Sequence, residues 1–198
     1  MPGLRIGVLA LQGAVREHVL VLQKCGAEAI LVKRREHFPG LDGLVFPGGE
    51  STTIGKLVVR YGLDESILEM AASGKALFGT CAGMILLARA ITDSQQFSLG
   101  LFNIEVSRNA FGRQRESFEE ELAVPVLGEE PYCAVFIRAP LIKEVGENVQ
   151  VLATHEGIAV AARQGNFLAC SFHPELTADL RLHHYFLQMA KEVQEKGC

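Results

Sequence analysis

The sequence predicts an α/β fold: a three-layer, open mixed sheet, mostly parallel, with helices on both faces and an antiparallel extension. Three observations carry this. In the first half, short apolar runs alternate with stretches whose apolar residues recur at helical spacing, the pattern of parallel strands covered on both sides. In the second half, six closely spaced strand-like runs follow one another with turn signals between them. The chain has 198 residues, 48% hydrophobic and 21% charged, which fits one globular domain spanning 1–198.

Each element has its own local reason. Residues 5–11 (RIGVLAL) read as a buried strand. Val15, Val19 and Leu22 follow at i, i+4 and i+7, a helix closed by Gly26. Residues 29–32 form a second strand and 43–46 (GLVF) a third, stopped by Pro47-Gly48-Gly49. Ile54, Leu57, Val58 and Tyr61 mark one helix, and Leu63, Ile67 and Met70 the next. Residues 76–78 make a short strand, with Met84, Leu87, Ala88 and Ile91 on the helix behind it. The runs 103–107, 121–126, 133–137, 149–154, 158–163 and 167–172 are expected to extend the sheet antiparallel, with hairpin turns at 155–157 and 164–166. Leu182, Phe186, Met189 and Val193 share one face of a terminal helix.

Composition excludes several functions. A net charge of −4 argues against a nucleic-acid or anionic-membrane binder, which would carry a basic stripe. No run of 18 apolar residues exists, and the N-terminus has no signal-peptide pattern. Cys25, Cys81, Cys133, Cys170 and Cys198 are scattered, with no CxxC, so free thiols in a reducing cytoplasm are expected, without a metal site. No histidine has metal-ligand spacing to another His or Cys, and no cofactor is expected.

Three segments could do chemistry. Phe78-Gly79-Thr80-Cys81-Ala82-Gly83-Met84 has the G-x-nucleophile-x-G pattern between a strand and a helix, the context of a nucleophile elbow. Such a turn lifts Cys81 above the sheet at a helix N-terminus, which favours the thiolate. A small buried cysteine at a close strand–helix crossing would read the same. In Ser171-Phe172-His173-Pro174-Glu175, His173 falls just past an apolar run, at the edge where open α/β sheets gather their sites. Glu175 can reach the imidazole and fix its tautomer; a His-Pro turn beside a surface carboxylate is the plainer alternative. Pro47-Gly48-Gly49-Glu50-Ser51 again follows a strand, and its adjacent glycines let backbone N–H groups at Gly48 and Gly49 turn toward a ligand. Together with the N–H of Ala82 they could hold an oxyanion. The same segment could be a simple turn before a helix capped by Ser51 or Thr52. In a parallel sheet all three segments meet at one edge, and a thiolate, a base, an orienting acid and backbone donors make a complete acyl-transfer set.

These motifs resemble those of class I, triad-type glutamine amidotransferases, whose fold is flavodoxin-like. Within that group the chain is similar to the family of glutaminase subunits of pyridoxal 5′-phosphate synthases. The resemblance is carried by IGVLALQGAVREH (6–18), GLVFPGGESTT (43–53), FGTCAGM (78–84), RNAFGRQ (108–114), VFIRAP (135–140) and SFHPELT (171–177). It implies a cysteine glutaminase that hydrolyses L-glutamine and delivers ammonia to a separate (β/α)₈-barrel synthase subunit in a hetero-oligomer of vitamin B6 biosynthesis. It implies Cys81, His173 and Glu175 as the triad, and Gly49, Glu50, Ser51, Arg108, Ile137 and Arg138 as substrate contacts. For a generic arginine, surface solvation would be the better reading of Arg108 and Arg138. The helix at 12–18 would face the partner, with Arg16, Glu17 and His18 as contact candidates; a solvated helix face is the alternative. Two other functions stay open at this level: a stand-alone cysteine hydrolase or stress protein of a related elbow-cysteine family, and a non-catalytic regulator on the same fold.

Overall fold

A computed structural model of the chain describes residues 3–108 and 117–196. Its strands are β1 (Arg5–Leu9), β2 (Glu28–Val32), β3 (Gly43–Phe46), β4 (Ala76–Thr80), β5 (Ala88–Ile91), β6 (Phe102–Ser107), β7 (Ser117–Leu122), β8 (Tyr132–Ile137), β9 (Leu141–Val145), β10 (Gln150–His155), β11 (Ile158–Gln164) and β12 (Phe167–Cys170). Its helices are α1 (Val15–Lys24), α2 (Ser51–Arg60), α3 (Leu63–Ala72), α4 (Ala82–Leu87) and α5 (Arg181–Lys196).

The central sheet runs β10-β11-β12-β4-β3-β1-β2. From β12 to β2 every pairing is parallel; β10 and β11 are added antiparallel at the far side. Strand residues alternate between two cores, as the two-residue side-chain period requires. Val45, Ala76 and Phe78 pack with Leu22, Leu182 and Phe186 from α1 and α5. Leu44, Phe46 and Leu77 pack on the other face with Ile54, Ile67 and Met84 from α2, α3 and α4. This is the expected three-layer, mostly parallel α/β arrangement.

The second half departs from expectation in informative ways. Only β10, β11 and β12 join the central sheet. β6 pairs with β5 and β9 in a separate three-stranded sheet, and β7 with β8 in a hairpin. Ala88 and Ile91, expected on a helix, lie on β5. The helix ends at Leu87, and Ala88, Ala90 and Ile91 take ladder positions opposite Phe102, Glu105 and Val106. Pairing and the burial of Phe102 override a helical apolar spacing here. The strand expected at 121–126 is instead Ser117–Leu122, because Pro125 cannot donate to a ladder and opens a 3₁₀ turn. β9 was not expected from the sequence; it is short and closed in between Pro140 and Gly146. The turns at 155–157 and 164–166 do join antiparallel neighbours.

Among the described residues no helix is long and apolar enough to cross a membrane. Leu44 is fully buried between β1, β4 and the α2–α4 layer. Leu44→Ala is expected to cost about 2–5 kcal/mol of stability. Urea denaturation would read this as a lower midpoint at unchanged m value, and an unmoved midpoint would contradict the packing described.

Candidate active site

The parallel register sets the site. Gly79 lies opposite Phe46 of β3, and Thr80 opposite Cys170 of β12. Chain segments leaving β3, β4 and β12 therefore emerge at one level of the same carboxyl edge. These are Pro47-Gly48-Gly49, Cys81 and Ser171-Phe172-His173.

Cys81 sits between β4 and α4 with φ 49° and ψ −105°, a left-handed backbone that a non-glycine residue adopts only under constraint. The constraint is the close approach of α4 to β3: a Cβ on Gly83 would run into the Phe46 carbonyl. The Cys81 N–H donates to Cys170 O at 2.8 Å, which pins the elbow to β12. The side chain is mostly buried, 7% exposed, and Sγ lies 3.9 Å from the Ile137 carbonyl.

His173 is anchored by its backbone N–H, which donates to Val135 O of β8 at 2.8 Å. Its Nδ1 is 2.7 Å from Glu175 Oε1. Pro174 starts the 3₁₀ turn that places Glu175 beneath the ring. With Nδ1 taken, Nε2 is the nitrogen left for the sulfur. Gly48 abuts both groups, and a Cβ there would strike the His173 ring and lie 3.4 Å from Cys81 Cβ. Burial alone would push the His173 pKa down. Hydrogen bonding and charge from Cys81 and Glu175 prevail and raise it to about 10. Glu175 is held below the ordinary carboxylate range: burial works against its charge, and the histidines around it outweigh that.

The glycine loop is fixed from inside. Gly48 N–H donates to Thr80 Oγ1 at 3.1 Å, and Gly48 O accepts from Ala14 N–H at 2.9 Å. The Gly48 amide is thus engaged toward the core, which corrects the expectation that it faces an oxyanion. The amides of Gly49 and Ala82 have no intramolecular acceptor among the described residues.

The expected substrate contacts are brought to this rim with some reassignment. Glu50, rather than Ser51 or Thr52, caps α2: its carboxylate accepts from Thr52 N–H at 3.1 Å, Thr53 N–H at 2.8 Å and Thr53 Oγ1 at 2.6 Å. The Thr53 hydroxyl leads in holding its pKa down, at about 2. Arg108 Nη2 approaches the same carboxylate at 3.4 Å, and the Arg108 N–H is received by Asp93. Ser51 is buried with its hydroxyl donated to Gln96 Oε1 at 3.2 Å. Ile137 offers its carbonyl to the sulfur, and Arg138 follows it, exposed, at φ 45°. The remainder of the RNAFGRQ motif (109–114) and Cys198 lie outside the described residues.

One expectation is overturned. His18 is no surface contact: it is fully buried, with Nε2 3.1 Å from Thr80 Oγ1 and Nδ1 3.1 Å from His183 Nε2. The helical register held the signal, since His18 lies at i+3 from Val15 and i−4 from Leu22, on the inward face. His183 and Thr80 were likewise missed, although His183 sits between Leu182 and the buried Phe186 turn and Thr80 precedes Cys81. Arg16 remains exposed and Glu17 half-buried. Among the described residues no group of three or more His, Cys, Asp or Glu side chains is placed to hold a metal ion.

Comparison with known proteins places this geometry in context. The model of the SNO glutamine amidotransferase family matches residues 8–192. The pyridoxal 5′-phosphate synthase subunit PdxT of Geobacillus thermodenitrificans (strain NG80-2) is 59% identical over 96% of this chain and 97% of its own. PdxT of Brevibacillus brevis (strain 47 / JCM 6285 / NBRC 100599) is 59% identical over 96% of this chain and all of its own length. A crystal structure of a glutamine amidotransferase, 53% identical, superposes with a TM-score of 0.90 over 94% of this chain and 98% of that one.

The raised His173 pKa gives a direct test. Its ring should stay protonated until about pH 10 in an NMR titration. In Cys81→Ala, with burial opposed by Glu175 alone, the midpoint should fall. The sign for stability follows: the contribution of His173 is whole below pH ~6.5 and is lost as pH rises through about 10. A midpoint unaffected by Cys81→Ala would show that the sulfur and the ring do not interact.

Proposed function

The chain belongs to the SNO glutamine amidotransferase family, and we propose that it is the glutaminase subunit of a pyridoxal 5′-phosphate synthase. It hydrolyses L-glutamine to glutamate and ammonia and passes the ammonia to a synthase subunit. The observation that carries this reading is the pairing of an elbow cysteine with an imidazole whose far nitrogen is held 2.7 Å from a buried carboxylate. Near full-length identity of 59% to PdxT subunits supports the same assignment.

The chemistry follows from the site. The Cys81 thiolate attacks the γ-carboxamide carbon of glutamine, and the carbonyl oxygen becomes an oxyanion. The amides of Gly49 and Ala82 receive that charge; such preorganised donors are typically worth about 10²–10³ in rate each. Protonated His173 gives its Nε2 proton to the departing nitrogen, and ammonia leaves a γ-glutamyl thioester on Cys81. The neutral ring then takes a proton from water as the hydroxyl adds to the thioester. Glutamate departs, and the thiolate and imidazolium are restored. Glu175 stabilises the imidazolium at both stages and fixes its tautomer, without itself taking the proton.

Substrate binding is assigned to the rim around Gly49, Glu50, Ser51, Arg108, Ile137 and Arg138. An α-amino acid needs an anionic or carbonyl acceptor for its ammonium and a cation or amide donor for its carboxylate. The Glu50–Arg108 pair and the exposed Arg138 offer both kinds. The chain acts as a single glutamine amidotransferase domain in the cytoplasm. Its partner is a (β/α)₈-barrel synthase subunit in a hetero-oligomer, and the exposed face of α1 around Arg16 is the docking surface. Ammonia released into water would be largely protonated and lose its lone pair, so direct transfer has a chemical reason. Nothing in the geometry favours a stand-alone hydrolase or a regulator without activity.

Glutamate release from glutamine, measured with the synthase subunit present, should vanish in Cys81→Ala, and Glu175→Gln should lower kcat on the order of 10³–10⁴. Equal activity in native and Cys81→Ala chains would remove the catalytic assignment. For the interface, the chain and the synthase subunit should co-elute in size-exclusion chromatography with glutamine present, and Arg16→Glu should weaken that co-elution. Separate elution of the native chains would end the docking assignment.

A further inference from the structure

Behind the triad lies a second polar cluster, sealed from solvent. His18 from α1, Thr80 at the end of β4 and His183 from α5 are each 0% exposed. They stand in apolar surroundings: Phe78 meets His18 edge-on at 6.4 Å between centroids and His183 at 5.8 Å. Burying two imidazoles there is costly unless their nitrogens are used.

Their tautomers follow from their neighbours. His18 Nε2 lies 3.1 Å from Thr80 Oγ1 and 3.4 Å from Glu175 Oε2. That carboxylate oxygen is buried and has no other hydrogen-bond partner among the described residues. A lone pair on Nε2 would face the anion, so Nε2 carries the proton. His18 Nδ1 is then the acceptor, and His183 donates to it from Nε2 across 3.1 Å. This leaves His183 Nδ1 as a bare acceptor, and it is indeed without a partner among the described residues. Both rings stay neutral, burial holding each below its ordinary pKa against the pull of Glu175 on His18. The cluster is a line of N–H dipoles of one polarity, aimed at Glu175.

We infer that His18 is a positioning residue for the thiol site, its Nε2–H, oriented by His183, steadying Glu175 Oε2 and the Thr80 hydroxyl that holds the Gly48 amide. This rests on the glutaminase reading of Cys81, His173 and Glu175. One imidazole thereby links the triad carboxylate to the glycine loop beside the sulfur, from α1, outside all three motif strands. A purely packing role would be met by an apolar ring of the same size.

The test uses the chain with its synthase subunit. His18→Phe keeps the ring volume and loses the donor; His18→Gln returns an N–H near the Nε2 position. In His18→Phe kcat is expected to fall about 10- to 100-fold, the consequence of leaving a buried charged group without its donor. KM for glutamine should stay within about twofold, since an interaction felt mainly in the transition state lowers kcat and kcat/KM together. His18→Gln should recover most of the lost kcat. The NMR midpoint of His173 should shift from its native value in His18→Phe and return in His18→Gln. If His18→Phe does not fold, Thr80→Val against Thr80→Ser takes its place, with kcat lost in the first and kept in the second. Native kcat in His18→Phe, or equal losses in the Phe and Gln variants, would overturn the inference. Cys81→Ala in the same series keeps the two readings apart: activity surviving there defeats the glutaminase site itself, whatever His18 does.

Discussion

The site depends on one constraint, the parallel alignment of β12, β4, β3 and β1. Parallel strands all end on the same side of the sheet, and here neighbouring ends are level: Cys170 opposite Thr80, Gly79 opposite Phe46. A slip of one residue in β12 would turn its side chains to the other face and carry His173 about 3.3 Å along the strand direction. Register is held because both faces are buried, with Phe78 and Leu77 committed to opposite cores. The same packing brings α4 onto β3, where the lack of a side chain at Gly83 permits contact with the Phe46 carbonyl and forces Cys81 into its left-handed backbone.

On this frame the electrostatics are arranged in layers. Sulfur, imidazole and Glu175 carboxylate are all largely buried, where isolated charges are poorly tolerated. They coexist because each polar group has a partner: the His173 ring hydrogen-bonds Cys81 and, through Nδ1, Glu175 Oε1. The remaining carboxylate oxygen faces neutral His18. Glu50 is ionised for another reason. It caps α2, so its charge is fixed by two backbone amides and a hydroxyl before any ligand arrives.

What the sequence disclosed, and what it withheld, follows from the range of the forces. Cys81 between Gly79 and Gly83, and His173 two residues before Glu175, are local patterns with local causes, and the strand ends that unite them follow from strand–helix alternation. The partition of the second half into three sheets was not legible, because β6, β8 and β11 are all short strand-like runs with nothing in their own residues to name a partner; only long-range pairing decides. The capping of α2 by Glu50 broke the usual preference for Ser or Thr: the Ser51 and Thr52 hydroxyls are turned to Gln96, distant in the chain, and Arg108 reaches the capping carboxylate itself. His18 was read as a surface residue because it shares a polar stretch with Arg16 and Glu17. Its inward position depends on which helix face meets Phe78.

That last residue shows why α1 is more than a cover for the sheet. At its N-terminal end Ala14 N–H holds the Gly48 carbonyl at 2.9 Å, and Gln12 Oε1 receives the Glu50 N–H at 2.8 Å. One turn further in, His18 meets Thr80 and faces Glu175. The segment entering the helix is therefore joined to the glycine loop by one backbone–backbone bond and one side-chain–backbone bond, and the helix itself faces Glu175 through one side chain, while Arg16 points to solvent. Dense interiors transmit small displacements without absorbing them. A shift of α1 as a rigid rod would reach the glycine loop and the Glu175 carboxylate together. The Cys81–His173–Glu175 arrangement and the outer surface of α1 thus form one mechanical unit, with a polar side chain buried at this point beside Val21 and Leu22.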